Sequence, residues 1–176
     1  APATGIEAKV TGMKKYPGYF DYYYDEKQDK IFLVIDKFNT EFLYVEGLTA
    51  GVGSNDIGLD RNQLGGERVV KFDRRGPKVL LTELNYDYRA ISDNAAERKA
   101  VEEAFAQSVL WGFTVVTEES GKVLVDATDF LIQDVHDVVG SLRSSQQGSY
   151  SLDKSRSAIY LPRTKNFPEN SEFEVT

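Results

Sequence analysis

"RVVKFDRRGPKVLLTELNYDYRA", residues 68–90, decides the fold. Aliphatic and β-branched residues run up to Gly76-Pro77 and resume after it. A Gly-Pro pair between two such runs reads as the turn of a β-hairpin. "TELNYDYRA" adds a third short strand. Upstream, "YFDYYY" (19–24), "KIFLVI" (30–35) and "EFLYVEGL" (41–48) are aromatic and β-branched, and polar loops separate them. They predict a strand meander. Downstream, "FTVVTEESGKVLVDAT" (113–128) predicts a second hairpin around Ser120-Gly121. The tail "SAIYLPRTKNFPENSEFEVT" reads as strand, proline turn, strand.

Two stretches change period. In "SDNAAERKAVEEAFAQSVLWGF", Asn94 followed by Glu97 resembles a capping box, and Val101, Phe105 and Val109 recur at helical spacing. A helix is expected over 94–108. A second helix is expected over 129–143, with Asp129 as its N-cap and Leu131, Val135, Val138 and Leu142 as one buried stripe. His136 falls off that stripe. Strands, helix, hairpin, helix, strands is the order of an α+β domain built on a mainly antiparallel sheet. Residues 1–17 read as a lead-in ended by Pro17-Gly18, and 18–176 as a single domain.

Composition narrows function. The chain has 176 residues, a formal net charge of -7, no cysteine and one histidine. The negative charge disfavours a nucleic-acid backbone as partner. Without cysteine there are no disulfides, thiolate zinc sites or iron–sulfur clusters. No apolar run is long enough to span a membrane.

The chemically suggestive stretch is "GVGSNDIGLDRNQLGG" (51–66). A P-loop fails, because Leu59 and Asp60 stand where Lys and Ser/Thr are needed. A dinucleotide fingerprint fails at Asp56, which would repel a pyrophosphate. An EF-hand starting at Asp60 fails at Leu64 and Lys71. An irregular calcium site from Asp56, Asp60 and backbone carbonyls stays open. The plainer reading is a turn-rich loop, with Gly at positive φ and Asn/Asp capping turns. Its length still marks it as functional. In "VDATDFLIQDVHD" (125–137), Asp126, Asp129, Asp134, His136 and Asp137 invite a metal reading. Helical spacing would splay Asp134, His136 and Asp137 apart. The tyrosines of "GYFDYYYD" invite sugar stacking. In a strand, however, Tyr22 and Tyr24 face one way and Tyr23 the other, as in a packed sheet. No nucleophile motif stands out, and no carboxylate pair is singled out for hydrolysis.

Taken together, "EFLYVEGLTAGVGSNDIGLDRNQLG", "RVVKFDRRGPKVLL", "SVLWGFTVV", "VLVDATDFLIQD" and "GSYSLDKSRSAIYLPRTKNFPENSEFEV" resemble a domain of unknown function. In large bacterial zincin-type metallopeptidases that domain lies upstream of a catalytic domain bearing H-E-x-x-H. The resemblance covers roughly residues 12–176. It implies an exported, extracytoplasmic parent protein (periplasmic or secreted), with zinc held in a catalytic domain elsewhere in the polypeptide. A chain with one histidine cannot supply H-E-x-x-H, so the resemblance brings no catalytic, cofactor or metal residues onto these positions. The expected role is accessory, docking on or regulating that catalytic domain. Asn55, Asp56, Asp60 and Arg61 are the candidate docking loop, and Arg156 and Arg163 are candidate interdomain contacts. For each arginine the competing reading is a local salt bridge. Two other functions stay open: a carbohydrate- or peptide-binding module using the tyrosine-rich sheet, and a carboxylate-dependent hydrolase.

Overall fold

The computed structural model describes residues 5–176. Eight strands form one antiparallel sheet: β1 (Lys14–Tyr16), β2 (Tyr22–Asp25), β3 (Lys30–Ile35), β4 (Phe42–Leu48), β5 (Gln63–Arg75), β6 (Lys78–Glu83), β7 (Ser108–Glu119) and β8 (Lys122–Asp126). Their order across the sheet is β1-β2-β3-β8-β7-β6-β5-β4. The chain is α+β, with the sheet dominant and the helices few.

The order explains the shape. β3 and β4 are consecutive in sequence but five strand spacings apart. In a flat sheet that is about 24 Å, which residues 36–41 would cover only when fully extended. They cross the inside instead, where Phe38 forms a parallel bridge with Phe72. The sheet therefore curls into a half-barrel.

Alternation along the strands fills the two faces differently. Leu33 pairs with Val125, and both face the concave side. There they join Tyr22, Ile31, Ile35, Val70, Phe72, Val79, Leu81 and Phe113. Val34 pairs with Leu124 on the other face, where Ile6 and Val10 cover them in a smaller core. Tyr22 and Tyr24 pack with the large core and Tyr23 with the small one, as strand alternation requires. Ile6 and Val10 lie at and just beyond α1 (Gly5–Lys9). The stretch read as a lead-in thus carries a helix and the edge strand β1. Its first four residues lie outside the described part.

The tail forms a separate hairpin, β9 (Lys165–Phe167) and β10 (Asn170–Glu172). Asn166 Nδ2 donates to the carbonyls of Tyr16 and Phe20 at 2.8 Å each, pinning the hairpin to the β1–β2 turn. No strand forms in 84–90, where one was expected.

Both predicted helices need correction. The first is α2, Ala95–Ala104, shorter than 94–108, and it buries no residue. Asn94 caps it by accepting from Ala96 N at 2.9 Å. The box is not reciprocal: Glu97 meets the Asn94 side-chain amide, while Asn94 N donates to Ser92 Oγ. Val109, read as helical, belongs to β7 and is 56% exposed.

The second predicted helix, 129–143, is two short ones, α3 (Thr128–Leu131) and α4 (Val138–Ser144). The aspartates divide it. Asp134 accepts from Val138 N and Val139 N, both at 2.8 Å. Asp137 adopts φ 52° and accepts from Gly140 N at 3.2 Å. Short carboxylates compete with the helix for backbone N–H groups and win at its start. Asp129 is not an N-cap; that position is Ala127, and Asp129 meets Lys154 Nζ at 2.6 Å. The predicted stripe dissolves as well. Val135 is 38% exposed, Leu131 is half-buried against the core, and Ile132 is the buried residue. Ile132→Ala is expected to cost about 2–5 kcal/mol, and Leu142→Ala distinctly less, because Leu142 lies outside both cores. Urea denaturation of the two variants checks this; a loss at Leu142 as large as that at Ile132 would mean that α4 packs into a core.

Candidate functional site

The loop between β4 and β5 is shorter than the sequence suggested, because Gln63–Gly66 already belong to β5. Its interior is organised. Leu59 is 2% exposed and anchors the loop. Val52 N donates to Leu59 O at 3.2 Å. A Cβ on Gly51 would stand 2.6 Å from that same oxygen, so the close approach needs glycine. A 3₁₀ turn at Asn55–Ile57 ends on Gly58 at φ 75°.

Around this frame Asn55, Asp56, Asp60 and Arg61 are exposed. Their side chains make no hydrogen bond or ion pair among the described residues; Asp60 takes part through its backbone, accepting from Gln63 N and donating to Gln63 Oε1. Arg163 reaches Glu174 at 3.6 Å, and Thr49, at the foot of the loop, donates to the same Glu174 carboxylate at 3.2 Å. Arg163 and the loop are therefore neighbours. Arg156 is elsewhere and pairs with Asp153 at 2.8 Å. Both arginines make the local salt bridges that were the competing reading.

The glycine pair closing the stretch has a different role. Val45 pairs with Glu67 and Gly47 with Leu64, so Gly65 and Gly66 together oppose the single residue Glu46. This is a β-bulge. It lets three polar side chains crowd the backbone. A Cβ on Gly65 would lie 2.8 Å from Glu46 Cγ and 2.9 Å from His136 Nδ1, and one on Gly66 would lie 2.9 Å from the Arg68 guanidinium. Glu46 is nearly buried, accepts from Gly66 N at 3.3 Å, and meets Arg68 Nη1 at 3.0 Å. Arg68 also faces Glu83 at 3.7 Å. His136 Nε2 lies 3.4 Å from Gln63 Oε1, while its Nδ1 is buried with no partner among the described residues. Beside this cluster Tyr44 packs at a tilt against Phe130, with ring centroids 5.9 Å apart. Burial, and then the Glu46 charge, push the Tyr44 phenol upward, and Arg68 opposes them.

His136 is thus not on a helix surface. It sits in the 132–137 connection, against the bulge. The cluster of Glu46, Arg68, Glu83 and His136 was missed in sequence. A signal existed: Phe42, Tyr44 and Glu46 share the inward phase of β4, and a carboxylate at an inward position needs a partner.

The other suspected ligands are dispersed. Asp126 accepts from Lys30 Nζ at 2.9 Å and Thr128 N at 3.0 Å. Burial would raise its carboxyl, but the Thr128 and Lys30 hydrogen bonds outweigh burial and hold it below the usual range. Asp134 and Asp137 cap α4. Among the described residues no three His, Cys, Asp or Glu gather as a metal site. The tyrosine ladder is internal: Tyr16 stacks on fully buried Tyr22, with centroids 4.8 Å apart. Among the described residues no helix is long and apolar enough to cross a membrane.

A family model described as a domain of unknown function (DUF5117) matches residues 62–176. None of the curated proteins matches the chain, and neither does any solved structure. The matched region begins at the end of the β4–β5 loop and runs through the tail. It includes β5 with its glycine bulge, Arg68, Glu83 and His136, but not Glu46. That span is roughly two thirds of the sequence, and the chain belongs to the DUF5117 family of domains of unknown function.

Proposed function

We propose that this chain is a non-catalytic accessory domain of an exported bacterial zinc metallopeptidase, and that it docks on a catalytic domain of the same polypeptide through the loop after β4. The observation that supports the reading best is the division of labour in that loop. Its backbone is fixed by Leu59, Gly51 and Gly58, while the side chains of Asn55, Asp56, Asp60 and Arg61 point out unpaired among the described residues. A loop anchored through Leu59 and offering unused polar groups suits the rim of a protein interface. The zinc-peptidase part of the proposal rests on the sequence resemblance. In this reading zinc and its catalytic glutamate belong to the other domain, and this chain holds no metal of its own.

Replacing Asp56 and Asp60 together by alanine tests the docking. The melting temperature of this chain is expected to stay nearly constant, since exposed changes of this kind fall within about 0.5 kcal/mol. In the full polypeptide the same pair should weaken association of the two domains, seen as faster limited proteolysis between them. Loss of stability in the isolated chain with association intact would sink the proposal. Calcium-dependent melting that the double variant abolishes would instead assign the loop to a cation.

A further inference from the structure

The two edges of the sheet are built differently. β1 is three residues long, carries Lys14 and Lys15, and is followed by Pro17. Shortness, lysine and proline are the usual protections against strand addition. β4, at the opposite edge, has seven residues, FLYVEGL, and among the described residues pairs with β5 alone. It has no lysine or proline. Its one charge, Glu46, turns inward to Arg68 and does not guard the edge. The outward phase is apolar: Leu43 is 62% exposed and Val45 40%, beside Leu64 at 67% on β5. Long, unguarded edges with alternating apolar side chains are the receptors used in strand addition.

The charge around the edge selects the occupant. Glu41 precedes β4, Glu67 stands opposite Val45, and Asp56 and Asp60 follow in the loop. All are exposed, and among the described residues none has a cationic group within ion-pair distance. Glu41 meets only the neutral Tyr86 hydroxyl. Arg61 offsets part of this charge. A second copy would bring another acidic edge, with its own Glu41, Glu67 and loop aspartates on a chain of net charge -7, against this one. That arrangement is unfavourable.

We propose that the free edge of β4 receives an extended peptide strand of net positive charge that carries apolar and basic residues on the same face, because Glu67 pairs with Val45 and Glu41 shares the phase of Leu43 and Val45. Main-chain hydrogen bonds to Phe42–Leu48 would supply affinity. Leu43, Val45 and Leu64 would take the apolar side chains, and Glu41 and Glu67 the basic ones. The proposal does not depend on the zinc-peptidase reading, because an edge recognises backbone and charge pattern whichever protein presents them.

The probe is a synthetic peptide of about ten residues in which threonine alternates with valine or lysine, so that valine and lysine share one face, long enough to cover the strand. It is expected to bind, more weakly as salt rises, and to protect amides within Phe42–Leu48 from hydrogen exchange. The matching peptide with glutamate in place of each lysine should bind at least about tenfold more weakly through like-charge repulsion. Val45→Lys places a guard at the centre of the edge. It should cut binding by about tenfold or more while melting and circular dichroism stay unchanged. Leu43→Lys serves the same purpose if Val45→Lys impairs folding. Asp56 and Asp60 report on the loop and Val45 on the edge, so either proposal can fail alone. Equal binding of both peptides, protection outside β4, or no binding overturns the inference. So does a dimer with β4 protected in the absence of peptide, which would give the edge to a second copy.

Discussion

Phe113→Ala is expected to lower the unfolding free energy by about 3–5 kcal/mol, among the largest losses for a single truncation in this chain. Phe113 is 1% exposed. Its ring stands 5.3 Å from Phe130, 6.1 Å from Phe72 and 6.5 Å from Trp111, centroid to centroid. It therefore joins three parts of the fold: β5 across the sheet, its own strand β7, and α3 laid over the concave face. Removing it leaves a void walled by rings held on different backbones, which cannot all move in together. Val109→Ala, on the same strand but 56% exposed, should stay within about 0.5 kcal/mol. Urea denaturation of both variants gives the comparison. A loss under about 1 kcal/mol at Phe113 would mean that α3 does not close the half-barrel.

Arg68→Ala is expected to cost about 3 kcal/mol, the low end for breaking a buried ion pair. The side chain of Glu46 is only 8% exposed, and without Arg68 its charge would keep one backbone hydrogen bond, from Gly66. The low end applies because the Arg68 side chain is itself 30% exposed, which leaves room for water to enter the vacated space. The test of mechanism is the second variant. Glu46→Leu combined with Arg68→Met removes both charges and keeps the volume, so it should recover most of the loss. If the double variant is as unstable as Arg68→Ala, the loss at Arg68 reflects packing of its aliphatic stem and not an orphaned carboxylate. Both measurements belong at neutral pH.

The two experiments probe opposite ends of one device. Curling the sheet brings β4 and β5 over the 128–137 segment, and the Gly65–Gly66 bulge lets Glu46, Arg68 and His136 meet beneath the loop. The loop's exposed side chains stand on this support. A change beneath the loop should therefore shift its outward residues, which makes Arg68→Ala informative for docking as well as for stability.

Much of this was legible in the residues. Strand period placed Tyr22 and Tyr24 on one face and Tyr23 on the other, because a strand has period two whatever surrounds it. Gly76-Pro77 and Ser120-Gly121 marked the hairpin turns through local backbone chemistry. The mainly antiparallel sheet followed from short polar connections. The elements that misled are those where local signals conflict. LIQDVHDVV has helical apolar spacing, but Asp134 and Asp137 take the N–H groups that a continuous helix would need. Val109 continues a helical count from Val101 and Phe105, yet pairing with Thr82 on β6 draws it into β7. Tertiary structure alone decided the order of strands. β4 lies at the far edge and β3 inside because the 36–41 crossover packs Phe38 against Phe72, a contact between residues distant in sequence. The polar cluster was hidden for the same reason: Glu46, Arg68 and His136 come from separate segments, and only the curl and the bulge bring them within reach of one another.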